Sequence, residues 1–235
     1  MFLNPWFRRG VVAGLPYLIV VVPFGLLFGI TARTAGFNLT EIMGFSILVI
    51  AGASQFSALQ LMNDNAPVLI VIATGLAVNI RMAMYSASLA PHLGGMPVWQ
   101  RALAAYSLTD QSYAISALRF ETGAPMRPLD KVAYYFGTVL FTAVPWPVST
   151  LVGATAGGFI PAGVPLDLAI PITFLAMIAP LLRNPAHLAA AVVSVVLTLA
   201  LSFIPYNLGL LVAAVFAMIA GAAVEQLLAR RRVRE

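Results

Sequence analysis

The chain has 235 residues, of which 61% are hydrophobic, 9% are charged and none is cysteine. A soluble domain carries about a quarter charged residues, so this chain cannot cover itself with a water-compatible surface and is an integral membrane protein. Its net charge of +5 comes mostly from short arginine clusters, which argues against a phosphate-tracking stripe and nucleic-acid binding. The lack of cysteine excludes disulfides, a thiolate metal site and a cysteine nucleophile.

Arg8 and Arg9, followed by apolar residues, resemble the start of a signal peptide. The apolar run from Gly10 to Ala32 is too long for an ordinary h-region, so an uncleaved first span is expected. A helix needs about 20 apolar residues to cross a bilayer core. Arg9 and Arg33 bracket 23 uncharged residues, and Glu41 and Asp64 bracket 22. A third run, about Ala66 to Ala90, contains Arg81. A fourth, about Arg101 to Arg119, is the most polar and contains Asp110. Lys131 and Asp167 bracket 35 residues, enough for one long span and the Gly157-Gly158 turn. A shorter run follows, about Leu166 to Leu182. Arg183 and Glu225 bracket 41 residues, divided by Pro205-Tyr206-Asn207 into two more. The expected fold is all-α: a polytopic membrane domain over residues 1–235 with about eight transmembrane helices.

The positive-inside rule orients the spans. Arg8 and Arg9 precede the first, and Arg230, Arg231, Arg232 and Arg234 follow the last. Both termini therefore belong in the cytoplasm, which requires an even number of crossings. With eight, the loop carrying Arg119, Arg127 and Lys131 is also cytoplasmic, and only Arg33 and Arg101 lie on the wrong side. Seven crossings plus a re-entrant segment is the competing arrangement. Pro23, Gly29, Thr31 and Ala32 have a spacing that Pro147, Gly153, Thr155 and Ala156 repeat. The echo is either a weak duplication of 11–120 in 131–229, as in many transporters, or a coincidence in a chain rich in glycine and alanine.

Arg81 sits mid-run in "VNIRMAMYSASLAP". A charge at mid-bilayer costs roughly 2.5–3.5 kcal/mol even on the lenient insertion scale, so it should face the protein interior and find a partner. Tyr85 and Ser88 share its helix face, while Asn79 lies on the other side, towards a different helix. Its expected counter-ion is Asp110 in "SLTDQSYAI", flanked by Thr109 and Gln111, because the other acids fall near segment ends. The pair is either a fixed clamp between helices or a proton-sensitive site in which protonation of Asp110 releases Arg81.

Two backbone breaks are expected beside it. Pro23 and Gly25 in "VVPFGLLFG" free backbone groups in the first span, with Phe24 between them. Gly52, Ser54 and Gln55 in "AGASQFSALQ" do the same in the second. Freed backbone is tolerated at membrane depth only where it is buried in protein or lines a cavity, and a half-helix N-terminus favours carboxylates. Simple kinks and close helix packing are the structural alternatives. No zincin, nucleophile-elbow or P-loop signature is present, and no cofactor or metal is expected. His92 and His187 lie near segment ends, and Trp6, Trp99 and Trp146 are expected to be belt or packing residues.

Together, "PFGLLFG", "AGASQFSALQL", "NIRMAMYSASLAP" and "LTDQSYAI", followed by "KVAYYFGTVL" and "GATAGGFIPAGVPLDLAIPITFLAMIAPLL", resemble the AzlC family, the large subunit of branched-chain amino acid exporters. The resemblance covers nearly the whole chain. It implies a bacterial inner-membrane exporter of amino acids such as valine, leucine and isoleucine, driven by protons, with a small hydrophobic subunit of the AzlD type. The family's N-[LI]-R motif falls on Asn79, Ile80 and Arg81, and its Y-S-A-S-L-A-P on Tyr85 to Pro91. The chain departs from the family's pattern at Met82, where histidine is frequent, and at Gln111, where a second acid beside Asp110 is frequent. Two other expectations compete with transport: a scaffold subunit whose partner carries the pathway, and an intramembrane enzyme.

Overall fold

The computed structural model describes residues 4–159, 182, 184–204 and 208–232. Among these there are helices and connections but no strand. Two compact units are present, one from Met1–Leu59 and Val78–Leu166, the other from Gln60–Ala77 and Asp167–Glu235.

In the first unit, α1 (Pro5–Gly14), a 3-10 turn (Leu15–Tyr17) and α2 (Leu18–Thr34) form one apolar span of 30 residues. Asn4 starts it by accepting from the Trp6 N–H, with Pro5 in the first turn. α3 (Leu39–Leu48) opens with a capping box between Asn38 and Glu41. After three non-helical residues comes α4 (Gly52–Asn63), which belongs to this unit as far as Leu59, then α5 (Val68–Leu93), which belongs to it from Val78 on, and then α6 (Val98–Tyr106) and α7 (Asp110–Thr122). α8 (Pro128–Thr142) and α9 (Pro145–Gly157) form a second 30-residue span.

A few contacts fix the course of this unit. α8 starts beside α1, where Asn4 Nδ2 donates to Asp130 Oδ1 at 3.0 Å. The two spans then run side by side in the same direction. A Cβ on Gly10 would lie 2.2 Å from the Tyr134 carbonyl oxygen, and one on Gly29 2.2 Å from that of Thr150. Gly153 is equally tight against Leu26, and Gly25 against Ser149. Rising numbers meet rising numbers, so the two copies of the proline–glycine echo lie in register along one seam. Here the glycines serve close approach of backbones, the small-residue packing of membrane helices.

α5 descends to the Asn4 end, where His92 Nδ1 lies 3.0 Å from Lys131 Nζ, next to Asp130. α6 follows after Gly94–Pro97 and so starts at that end. α7 nevertheless runs parallel to α5: Arg81 meets Asp110, Tyr85 stacks on Tyr113 and His92 faces Phe120. α7 finishes at the Asn4 end too, with the Arg119 guanidinium 4.8 Å from the Trp6 ring. α6 and α7 are therefore a re-entrant hairpin with its tip at Ser107-Leu108-Thr109. α3 enters from the opposite, Arg33 end, bringing Phe45 against Phe28. Gly52 lies against Phe24, and Phe56 touches both Phe24 and Phe28, so α4 climbs back the way α3 came. The tips of the two hairpins touch where the Tyr106 hydroxyl donates to the Ile47 carbonyl.

The membrane-embedded all-helical fold is as expected, but the runs at Glu41–Asp64 and Arg101–Arg119 are hairpins where crossings were expected. The reason is length: about 22 residues make either one helix across a ~30 Å core or two half-length helices of ~15–18 Å. The described helices long and apolar enough to cross are Pro5–Thr34, Val68–Leu93 and Pro128–Gly157. This course moves Arg101 to the Asn4 end, with Arg8, Arg9, Arg119, Arg127 and Lys131, and leaves Arg33 at the other end of this unit.

One expected break is absent. α2 runs unbroken through Pro23, and the first span is interrupted earlier, at Leu15–Tyr17 around Pro16. Gly25 is a seam residue, where a Cβ would sit 2.1 Å from Ser149 Oγ. The second break lies at residues 49–51, just ahead of the expected Gly52, Ser54 and Gln55, which are themselves helical in the first turn of α4.

In the second unit, α10 (Pro185–Ala200) and α11 (Leu208–Arg232) are antiparallel neighbours, Gly221 lying against Ala190 and Gly209 against Leu201. The run expected at Leu166–Leu182 falls almost wholly outside the described residues, as does the Pro205-Tyr206-Asn207 divider.

Candidate functional site

The two hairpin tips bring polar groups to the middle of α5. Thr109 caps α7 by accepting from the Ser112 N–H, and Ser112 Oγ accepts from the Thr109 N–H. This reciprocal box ends the tip and sets Asp110 in the first turn of α7, where the positive end of the helix dipole favours a carboxylate. Opposite it, Arg81 Nη2 lies 3.1 Å from Asp110 Oδ2. The two side chains remain 32% and 39% exposed.

Tyr85, one turn further along α5, lies beside these charges and stacks on Tyr113 with ring centroids 4.1 Å apart and planes 9° from parallel. The Tyr113 hydroxyl donates to Ser88 Oγ at 3.2 Å. Arg81, Tyr85 and Ser88 thus form one polar edge facing α7, as the helical spacing requires. Tyr113 completes that edge, and sequence spacing gave no reason to single it out.

Asn79 faces the other hairpin. Its Nδ2 donates to Ser54 Oγ at 3.0 Å, and Ser54 Oγ donates to the Ala51 carbonyl at the break. Gln55, fully buried, donates from Nε2 to the Phe45 carbonyl at 2.9 Å, tying α4 to α3. Phe24 packs with Phe56 and Trp146 in an aromatic cluster at the base of α4, and Gly52 is small because those rings occupy the space a Cβ would need. Pro23 is exposed and makes no hydrogen bond with these groups among the described residues. Gly25 belongs to the seam, so neither supplies the half-helix terminus expected there. Gln111 sits in the first turn of α7, half-buried.

Several polar atoms here are buried and have no protein partner: Gln55 Oε1, Asn79 Oδ1, Arg81 Nε and Asp110 Oδ1. Leaving such an atom unsatisfied costs about 1–3 kcal/mol, more for a charged group. Gln55 Oε1, Asn79 Oδ1 and Asp110 Oδ1 are acceptors and Arg81 Nε is a charged donor, and the Trp146 Nε1 donor in the aromatic cluster is likewise without a partner.

A family model described as AzlC protein matches residues 16–160. An uncharacterized membrane protein of Archaeoglobus fulgidus is 30% identical over 151 residues, covering 64% of this chain and 63% of that protein. A Helicobacter pylori protein described in the same words is 27% identical over 133 residues, 57% of this chain and 56% of its own. The inner membrane protein YgaZ of Escherichia coli is 26% identical over 160 residues, 68% of this chain and 64% of its own length. In each case the match spans less than two thirds of the relative's own length. No solved structure matches the chain significantly.

Proposed function

The chain belongs to the AzlC family, and on that premise we propose that it is a secondary transporter exporting branched-chain or related apolar amino acids across the bacterial inner membrane. In this reading, export is proton-coupled and a small hydrophobic AzlD-type subunit takes part. The observation that supports it is the 3.1 Å Arg81–Asp110 ion pair on α5 and the first turn of α7, with Arg81 Nε and Asp110 Oδ1 left without a hydrogen-bond partner.

The substrate carboxylate meets Arg81, whose planar fork suits carboxylates, and the ammonium meets Asp110 Oδ1 and the Asn79 and Gln55 carbonyl oxygens. The aliphatic side chain turns towards the aromatic cluster of Phe24, Phe56 and Trp146. Asp110 carries the coupling proton: protonated, it releases Arg81 to the substrate; ionised, it recaptures the guanidinium. No second acid stands beside it, since position 111 is glutamine.

The test is uptake of labelled isoleucine into everted vesicles or proteoliposomes, with and without a pH gradient, for this chain alone and with its small partner. Gradient-driven uptake that disappears in Arg81→Ala at unchanged protein level supports the reading. Normal uptake in Arg81→Ala overturns it. Loss of complex assembly with unchanged turnover per assembled complex favours the scaffold role instead.

A further inference from the structure

A cavity of about 240 Å³ lies between the later half of α5, α6 and Tyr135 of α8. Leu89, Leu93, Met96 and Leu108 make its walls, and Arg101 stands at its rim. The Tyr135 hydroxyl donates to the Ala104 carbonyl at 2.7 Å, so it closes the floor without offering a donor. The Arg101 guanidinium has no ion-pair or hydrogen-bond partner among the described residues, and no carboxylate lines the cavity.

We propose that this cavity is a binding site for a small aliphatic monocarboxylate lacking an amino group, such as a branched 2-oxo acid, with its carboxylate on Arg101 and its chain against Leu89, Leu93 and Met96. Charge selects the class. The Arg81–Asp110 pair offers both signs and suits a zwitterion, whereas the Arg101 cavity offers a cation alone and suits an anion. Size agrees, because a dry cavity of ~150 Å³ holds benzene. By proportion about 240 Å³ holds nine or ten heavy atoms, and leucine's 2-oxo acid has about nine. Leu108, in its wall, precedes Thr109 and Asp110 at the hairpin tip. Binding in this cavity does not depend on the function proposed above.

The probes are 4-methyl-2-oxopentanoate and L-leucine, titrated calorimetrically against the full chain in nanodiscs at constant pH and ionic strength. Variants are compared at equal monodispersity and helix content. Arg101→Gln should weaken oxo-acid binding tenfold or more, and Arg101→Lys should recover part of it. Leu89→Trp, which fills the cavity, should abolish it, and Arg81→Gln should shift it less than twofold. The absence of oxo-acid binding to the wild type, an unchanged Kd in Arg101→Gln, or a loss that follows Arg81→Gln instead would each overturn the proposal. Leucine binding that survives Arg81→Gln would instead count against the central site and leave the Arg101 cavity standing.

Discussion

The seam between the α1–α2 and α8–α9 spans and the gap between the two hairpin tips lie in the same unit but are built from opposite materials. The seam is glycine against backbone: Gly10, Gly14, Gly29, Gly137 and Gly153 each stand where a Cβ would come within 3 Å of a carbonyl. Its hydroxyls are mostly spent on nearby carbonyls, as Ser149 on Pro145 and Thr142 on Thr138. The gap is amide, guanidinium and carboxylate, with polar atoms left unpaired. In lipid, helices lack a hydrophobic drive towards each other and rely on close packing, so the seam can hold the frame rigid while the tips carry polar groups that lipid would reject. A substitution in the seam should therefore remove the protein, and one at the tips should remove its activity.

The largest contrast is topological. With no native cysteine, single Trp99→Cys and Glu121→Cys variants can be labelled with a membrane-impermeant maleimide from either face. The hairpin requires both to react from the same side, and a crossing would put them on opposite sides. Next in size, Gly29→Val drives two methyl groups into the Thr150 carbonyl and the Ala154 N–H, which are backbone and cannot turn aside. Overpacking costs about 1–3 kcal/mol where side chains can yield, so this variant should exceed that range, with loss of monodisperse protein or a Tm more than ~10 °C lower. Gly44→Ala is the control, because nothing lies within 4 Å of the added methyl. It should leave Tm unchanged or slightly raised.

The sequence yielded the meeting of Arg81 and Asp110 because depth and charge sign left each a single counterpart. Glycine and small polar residues pointed to a break at 52–55, a few residues beyond where the chain opens at 49–51. The break at Ser107–Thr109 escaped notice because it contains neither glycine nor proline. Its signal is Thr109 followed three residues on by Ser112, a capping box in which serine replaces the usual glutamate or glutamine. Direction of travel escaped for a deeper reason. Hydropathy measures how many residues are apolar, and a folded pair of half-helices has the same count as one helix. The available clue was Arg101, an exception to the charge rule with eight crossings and no exception with a hairpin. Pro23 misled because a proline inside a helix can be accommodated without a break, and Gly25 because a glycine that opens backbone and one that lets backbones touch are the same letter.

At the tips the effects are smaller on stability and larger on function. Removing one member of a buried ion pair costs about 3–5 kcal/mol, but this pair keeps a third of its surface accessible, which should reduce the cost to about 1–2 kcal/mol. Arg81→Met and Asp110→Leu should each lower Tm by a few degrees, and the double variant should regain much of that loss, because no charge is left stranded. All three should lack gradient-driven uptake. A double variant whose loss equals the sum of the two single losses would mean that the charges do not depend on each other, which contradicts the 3.1 Å pair.

The smallest effect tests whether the carboxylate is aimed or merely present. Thr109→Ala deletes the side-chain acceptor of the α7 cap and costs about 1 kcal/mol, while Thr109→Ser keeps the oxygen and should cost only a few tenths. Neither change touches a charge, so a purely structural cap would move Tm alone. If the cap holds Asp110 towards Arg81, Thr109→Ala should also raise KM for isoleucine several-fold, and Thr109→Ser should restore it. Equal KM in both variants, with Tm lowered only in Thr109→Ala, would leave Asp110 held by Arg81 alone.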